Sequence, residues 1–343
     1  MRYIGSKSWC VEKLLRLVCK EISSFSSLCD PFAGTCTVGR FFKARGVRVI
    51  TGDLLALSYA YQLSSIMLEE QPRFHRLRDD LGIDSADCAD ARVLTFLNSL
   101  PGRTGWVSRN FSLDGPCRRK YLTVANARRV DAIRLAIRKW SRTGMISNAE
   151  RWYLIACLIE ALDRVANTAG TYYAHLRSFY RKAKQDIDLR PIQCEANGSQ
   201  GKAFHGPAAA LVRRVKVDVL YLDPPYNKRD YGPYYHLPEL IAMDCTPPVA
   251  GRSGRPKIAL PRSGFCSPTS AAAALQEVVS LCNARLIVLH YAEEGLVSHQ
   301  AILEMLRKKG PTRWERWESR SYTSRPKQPE RRFATRIYVC HAA

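Results

Sequence analysis

Residues 220–235, LYLDPPYNKRDYGPYY, restrict the fold more than any other stretch of the chain. The apolar run 217–222 ends in Asp223-Pro224-Pro225-Tyr226. A short run rich in Val and Leu and stopped by a proline pair reads as a buried strand. Neither proline donates a ladder hydrogen bond and each fixes its own φ, so the strand ends there in a rigid turn. The turn gathers one carboxylate, proline carbonyls and one aromatic ring at a strand's C-terminal end, where ligands sit in open α/β sheets.

The carboxylate and the carbonyls only accept hydrogen bonds, so they suit a substrate NH2 group, while the Tyr226 ring offers a face for a planar base. The exocyclic amine of a nucleobase fits both. Its lone pair is delocalised into the ring; acceptors that hold its N–H groups out of plane favour an sp3-like nitrogen able to attack an electrophilic methyl. Read alone, the same four residues are equally a strand-ending turn with a packed tyrosine, and context has to decide.

Upstream, residues 27–42, SLCDPFAGTCTVGRFF, read as a short strand (28–32), a small-residue turn at Ala33-Gly34-Thr35, and a helix from 38. This is how mononucleotide-binding folds open. Gly34 and Gly39 have the outer spacing of a phosphate-binding loop, but Arg40-Phe41 follow instead of Lys-Ser/Thr, which excludes ATP or GTP binding of that type. Residues 48–53, RVITGD, form the second strand. Asp53 closes it about 20 residues past the glycine turn, where an acidic group commonly holds ribose hydroxyls; it also suits the N-cap of the helix that follows, expected to run to 68.

Charge points to the partner. The 343 residues carry a net charge of +22, and residues 101–190 hold 18 Lys and Arg against 7 Asp and Glu. Half of the net charge lies in about a quarter of the chain, which implies a polyanion, most simply nucleic acid. In that region Tyr172, Tyr173, Phe179 and Tyr180 interleave with His175, Arg177, Arg181, Lys182 and Lys184, a mixture that suits bases and phosphates.

Further elements follow from periodicity and breakers: helices at 9–22, 91–100, 124–140, 147–167, 270–282 and 296–309, a buried strand at 285–291, and a closing antiparallel pair at 313–322 and 333–340. Residues 191–214 read as a loop or linker, and 251–262, GRSGRPKIALPR, as a mobile basic loop. Glu293-Glu294 read as a strand-to-helix turn. The 12 cysteines include no C-x-x-C pair and no cluster with zinc spacing, so no metal site is expected. Scattered cysteines, no apolar run near the roughly 20 residues of a membrane span, and an N-terminus without a signal-peptide core lead us to expect a cytoplasmic protein with no membrane partner.

With these parts in place the chain resembles the Dam-like class of adenine-N6-specific DNA methyltransferases, and is most similar in look to the methyltransferases of FokI-type restriction–modification systems. YIGSK at 3–7 looks like the lead-in motif, DPFAGT at 30–35 like the S-adenosylmethionine loop, and DPPYN at 223–227 like the catalytic motif. EALDRVANTAGTYYAHL (160–176), DYGPYYHLPELIA (230–242) and LHYAEEGLVS (289–298) extend the resemblance over most of the chain. Cys36-Thr37 depart from it, since many relatives have Gly and a small residue there.

The resemblance implies an α/β fold: a Rossmann-like S-adenosylmethionine-dependent methyltransferase sheet, from residues 1–70 and 208–343, with a mostly helical basic insertion at 71–207 for target recognition. It implies S-adenosyl-L-methionine as cofactor, held at Tyr3, Gly5 and Lys7, at Asp30, Phe32, Ala33, Gly34 and Thr35, at Asp53, and at Asp223. Catalysis falls to Asp223, Pro224, Pro225 and Tyr226, and DNA contact to Arg177, Arg181, Lys182, Asn227, Arg229 and Tyr231. The expected partners are double-stranded DNA, whose target base must be flipped out, and a cognate restriction endonuclease. Three rivals remain at this point. Cytosine-N4 methylation more often shows Ser-Pro-Pro-Tyr. Ribosomal-RNA or glutamine methylation more often shows Asn in place of Asp223. A nonenzymatic DNA-binding subunit would retain the fold alone.

Overall fold

The computed structural model describes residues 1–5, 7–83, 88–320 and 332–342. Ser6 of the YIGSK motif and Tyr322, the expected end of the 313–322 strand, lie outside the described residues. The chain forms two compact units. One comprises Gly5–Gln62, Ala196–Tyr231 and Pro261–Ala343, the other Met1–Ile4, Leu63–Glu195 and Gly232–Leu260.

The strands in chain order are β1 (Ser27–Asp30), β2 (Arg48–Asp53), β3 (Lys202–His205), β4 (Lys216–Leu222), β5 (Val249–Ala250), β6 (Arg255–Pro256), β7 (Asn283–Ala292), β8 (Thr312–Arg320) and β9 (Arg332–His341). Seven of them build the sheet of the first unit in the order β3-β2-β1-β4-β7-β9-β8. The first five in that order run parallel, whereas β9 is antiparallel to both β7 and β8. From β1 the chain first winds outward through β2 to β3, then returns to place β4 and β7 on the other side. Such a reversal opens a crevice at the C-terminal ends of the two central strands. This is a Rossmann-like α/β sheet, the fold class expected from the sequence. β4 and β7 are buried along most of their length, which is why they read as near-continuous apolar runs. Leu211, Leu275, Val278, Ile302 and Leu306, from three helices, share one core with Leu220, Leu222, Ile287 and Leu289 of the sheet.

The second unit is mostly helical. Its long helices are Val124–Arg142 and Asn148–Val165, the latter started by a capping box in which Ser147 and Glu150 each accept the other's backbone N–H. Helix Asn148–Val165 buries residues all round, and the short helix His236–Ala242 packs on it.

These units differ from the boundaries drawn at 70/71 and 207/208 in four places, the first being residues 63–70, which belong with the helical unit. Residues 196–207 belong with the sheet, because Lys202–His205 pairs in parallel with β2; a four-residue edge strand inside a glycine-rich stretch has no periodicity to betray it. Residues 232–260 belong with the helical unit, where HLPELIA is buried on all sides and thus carries no facial pattern. Met1–Ile4 also belongs there, where the backbone N–H of Ile4 donates to Tyr235 Oη at 2.8 Å. The stretch expected to be a mobile loop at 251–262 instead begins with the β5–β6 hairpin, Val249 pairing with Pro256 and Ala250 with Arg255. The helix expected to reach 68 ends at Gln62 and gives way to a π-turn, Leu63–Met67.

Candidate active site

The C-terminal ends of β1, β2 and β4 bring the acidic candidates together in the first unit. Asp223 follows the last residue of β4, and one of its oxygens lies 2.5 Å from Lys7 Nζ. Lys7 is 8% exposed and also donates to Gly5 O at 3.0 Å. Its own carbonyl is fixed by Cys10, whose N–H donates to it at 3.0 Å. Burial raises the Asp223 pKa, and the Lys7 ammonium opposes that rise. Asp30, at the end of β1, is 2% exposed; its Oδ1 accepts the Phe32 N–H at 3.1 Å. Burial first, then the neighbouring Asp223 and Asp53 charges, push the Asp30 pKa up to about 8.

Asp53 binds the glycine turn to the second strand. Its Oδ2 accepts the Gly34 N–H at 2.9 Å and its Oδ1 the Leu55 N–H at 3.0 Å, while Ala33 N–H donates to Gly52 O at 2.9 Å. Gly34 has φ +52°, where a side chain is strained, and Cys36 sits at φ +60° without being glycine. The departure at Cys36 thus falls where a left-handed residue is needed. Phe32 packs edge-on against Phe265 at 5.0 Å, and Thr35 is half-buried.

Past the strand, Pro224 is buried while Pro225 and Tyr226 are half-buried. Tyr226 O accepts the Leu296 N–H at 2.9 Å, and its ring meets Tyr291 edge-on at 6.2 Å. Asn227 Oδ1 accepts the Arg229 N–H at 2.9 Å, closing a small turn that leaves Arg229 exposed. Tyr231 Oη lies 3.5 Å from the position a side chain on Gly5 would occupy.

Beside this set runs a buried chain that the sequence did not announce. Tyr221 Oη is 3.2 Å from His290 Nδ1, His290 Nε2 is 3.0 Å from Thr335 Oγ1, and the Thr335 hydroxyl donates to Trp317 O at 3.4 Å. Because the threonine proton goes to a carbonyl, Thr335 accepts from Nε2–H. Burial, then Lys7, drives the His290 pKa well below the usual value, which favours a neutral ring whose Nδ1 accepts from Tyr221. A lone histidine in an apolar strand gives no signal of such a role. Glu293 pairs with Arg316 at 2.9 Å and Arg336 at 3.6 Å, an ion pair on the sheet rather than at the site.

The other candidates lie in the helical unit. Tyr3 stacks on Tyr235 with centroids 4.8 Å apart. Arg177 and Arg181 are exposed; Lys182 is half-buried and donates to Asp163 O at 3.3 Å. Among the described residues, no group of three or more His, Cys, Asp or Glu is arranged to hold a metal ion, and no helix is long and apolar enough to cross a membrane.

Residues 3–305 match the family described as D12 class N6 adenine-specific DNA methyltransferase. The chain belongs to that family. Among curated relatives it is 31% identical to the modification methylase StsI of Streptococcus sanguinis over 90% of this chain and 46% of that one. It is 31% identical to the type II methyltransferase M.NlaIII of Neisseria lactamica over 90% and 89%. With the type II methyltransferase M.FokI of Planomicrobium okeanokoites it shares 31% over 96% and 50%. The chain thus spans about half the length of the StsI and FokI enzymes and most of the NlaIII enzyme.

Proposed function

We propose that this chain transfers a methyl group from S-adenosylmethionine to adenine N6 in a specific duplex DNA sequence, as the modification enzyme of a type II restriction–modification system. The observation that carries the reading is Asp223, paired with Lys7 at 2.5 Å at the crevice end of β4 and followed by the rigid Pro224-Pro225-Tyr226 turn.

The residues fit the cofactor. Asp30 is a buried carboxylate that a cationic amine would re-ionise, and Asp53 remains partly open to ribose hydroxyls. Lys7 has three N–H donors, of which Gly5 O and Asp223 take two, leaving one for a carboxylate. Gly34 gives a left-handed turn with no side chain in the way. When bound, S-adenosylmethionine supplies the electrophilic methyl.

The chain's own residues do the rest. Asp223 accepts one N6–H of the flipped adenine, and a carbonyl of the Pro224-Pro225 turn accepts the other. Both hydrogen bonds draw the nitrogen lone pair out of conjugation. The Tyr226 ring stacks on the base, and N6 sheds its extra proton along one of these hydrogen bonds. The exposed cations of the helical unit, Arg177 and Arg181 among them, hold phosphates, and Lys182, Asn227, Arg229 and Tyr231 add further DNA contacts. A cognate restriction endonuclease reading the same sequence is the expected partner, and the cytoplasm, where that DNA is, the expected location.

The test is to sequence DNA from a methylation-free host expressing the chain. N6-methyladenine in one recurring context is expected. N4-methylcytosine in its place, or unmodified DNA from a host making soluble protein, would overturn the reading.

A further inference from the structure

We propose that the β5–β6 hairpin reads a base of the target DNA, and that Arg255 is the residue that does so. The inference rests on the reading of the chain as a DNA methyltransferase. Its structural basis lies wholly within the helical unit. Tyr173 is among the exposed large side chains of the molecule, at 45% exposure. Its ring stacks on Tyr234 with centroids 5.1 Å apart and planes 29° from parallel. The Arg255 guanidinium lies 4.6 Å over the Tyr173 ring. Three flat groups from three separate segments thus form one pile, with an exposed cation on it.

The pile is built rather than incidental. The Tyr172 N–H donates to Tyr234 O at 2.7 Å, joining the first two segments next to their stacked rings. The buried Tyr121 hydroxyl sits between Tyr172 O at 2.8 Å and Ser253 O at 2.9 Å, tying the first segment to the hairpin. Arg119, 3% exposed, donates through Nε and Nη2 to Gly251 O at 3.2 and 2.9 Å. Gly254, at φ +66°, packs so closely on Phe111 that a Cβ would come within 2.9 Å of the ring. The hairpin therefore has a fixed seat, which a side chain that reads bases requires.

The use of charge separates Arg255 from its neighbours. Arg138 is engaged by Asp244 and Arg128 by Asp114, both at hydrogen-bonding distance. Among the described residues the Arg255 side chain pairs with no carboxylate and makes no hydrogen bond, and its guanidinium lies over an aromatic ring instead. A mobile surface lysine would serve a phosphate equally well. A guanidinium held over a ring has its donor fork pre-positioned, the geometry that recognises the two acceptors of a guanine edge. We therefore assign Arg255 to a guanine within the recognised sequence.

The experiment compares wild type, Arg255→Ala, Arg255→Lys and Tyr173→Ala in a methylation-free host, with the modified sites sequenced and purified proteins tested on duplexes changed at one position at a time. Wild type should require guanine at one position. Both Arg255 variants should lose that requirement, with discrimination falling on the order of tenfold to a hundredfold while the other positions and the modified base stay the same. Tyr173→Ala should weaken the same discrimination. Since Arg255 and Tyr173 are exposed, the variants should retain the wild-type circular dichroism. Restoration of full discrimination by Arg255→Lys, or a uniform loss across all positions, would make the contact a phosphate contact and overturn the assignment. Absence of methylated adenine with wild type itself would overturn the parent reading along with this one.

Discussion

A lysine ammonium 2.5 Å from a carboxylate favours the ionised form of that carboxylate. Burial raises the Asp223 pKa, and only Lys7 works against it. An ionised Asp223 is the stronger acceptor for N6–H, because charge-assisted hydrogen bonds are about twice as strong as neutral ones. In Lys7→Met the opposing charge is gone, so the Asp223 pKa rises further and its proton is held to higher pH. The acid limb of the single-turnover rate should shift upward in pH, with activity recovering as pH rises; an unmoved limb would remove Lys7 from this role. His290, one strand away, works differently. Hydrogen-bonded on both nitrogens and with its pKa pushed well below the usual value by burial, it orders the packing around Tyr221.

At the scale of elements, the glycine turn after β1 is tied to β2 by one side chain. Asp53 accepts backbone N–H groups from Gly34 and Leu55, so it serves the turn and the following helix at once. Asp53→Ala should lower cofactor affinity in calorimetry and also lower the melting temperature, since two N–H groups lose their acceptor, at about 1–3 kcal/mol for each one left buried and unpaired. Asp53→Asn keeps an acceptor oxygen and should recover most of the stability while remaining weaker for the cofactor. Equal affinity in all three proteins would leave Asp53 with the capping role alone. The β1–turn–helix and the Asp-Pro-Pro strand end were legible in the sequence because prolines and glycines fix backbone geometry locally. Helices Val124–Arg142 and Asn148–Val165 were legible because their apolar periodicity and Ser147 cap are local too. β3 and the β5–β6 hairpin were not, since two- and four-residue strands are made by their partners. The Lys7–Asp223 pair joins residues 216 positions apart, and only the folded chain brings them together.

Across the whole molecule, charge has to be judged by what it faces. The segment 101–190 reads as uniformly basic, yet Arg119 and Arg134 are buried and Arg128 and Arg138 are held in ion pairs. The cations free to meet DNA include the exposed Arg177, Arg181 and Lys184. Replacing these three by alanine should weaken binding evenly across sequences. The slope of log affinity against log salt should become shallower by roughly 0.9 for each phosphate that is no longer neutralised; an unchanged slope would put the DNA elsewhere. The central claim, that this fold exists to methylate an adenine through Asp223, is tested most directly by one variant. Asparagine has nearly the shape of aspartate and suits turns, so a purely structural Asp223 would tolerate it. If the charge is felt mainly in the transition state, its removal lowers turnover and spares binding. The measurement is single-turnover transfer of labelled methyl to an adenine-containing target duplex by wild type and Asp223→Asn, with DNA affinity measured alongside. The account predicts binding within a small factor of wild type and loss of most methyl transfer; near-normal transfer by the asparagine variant would contradict it.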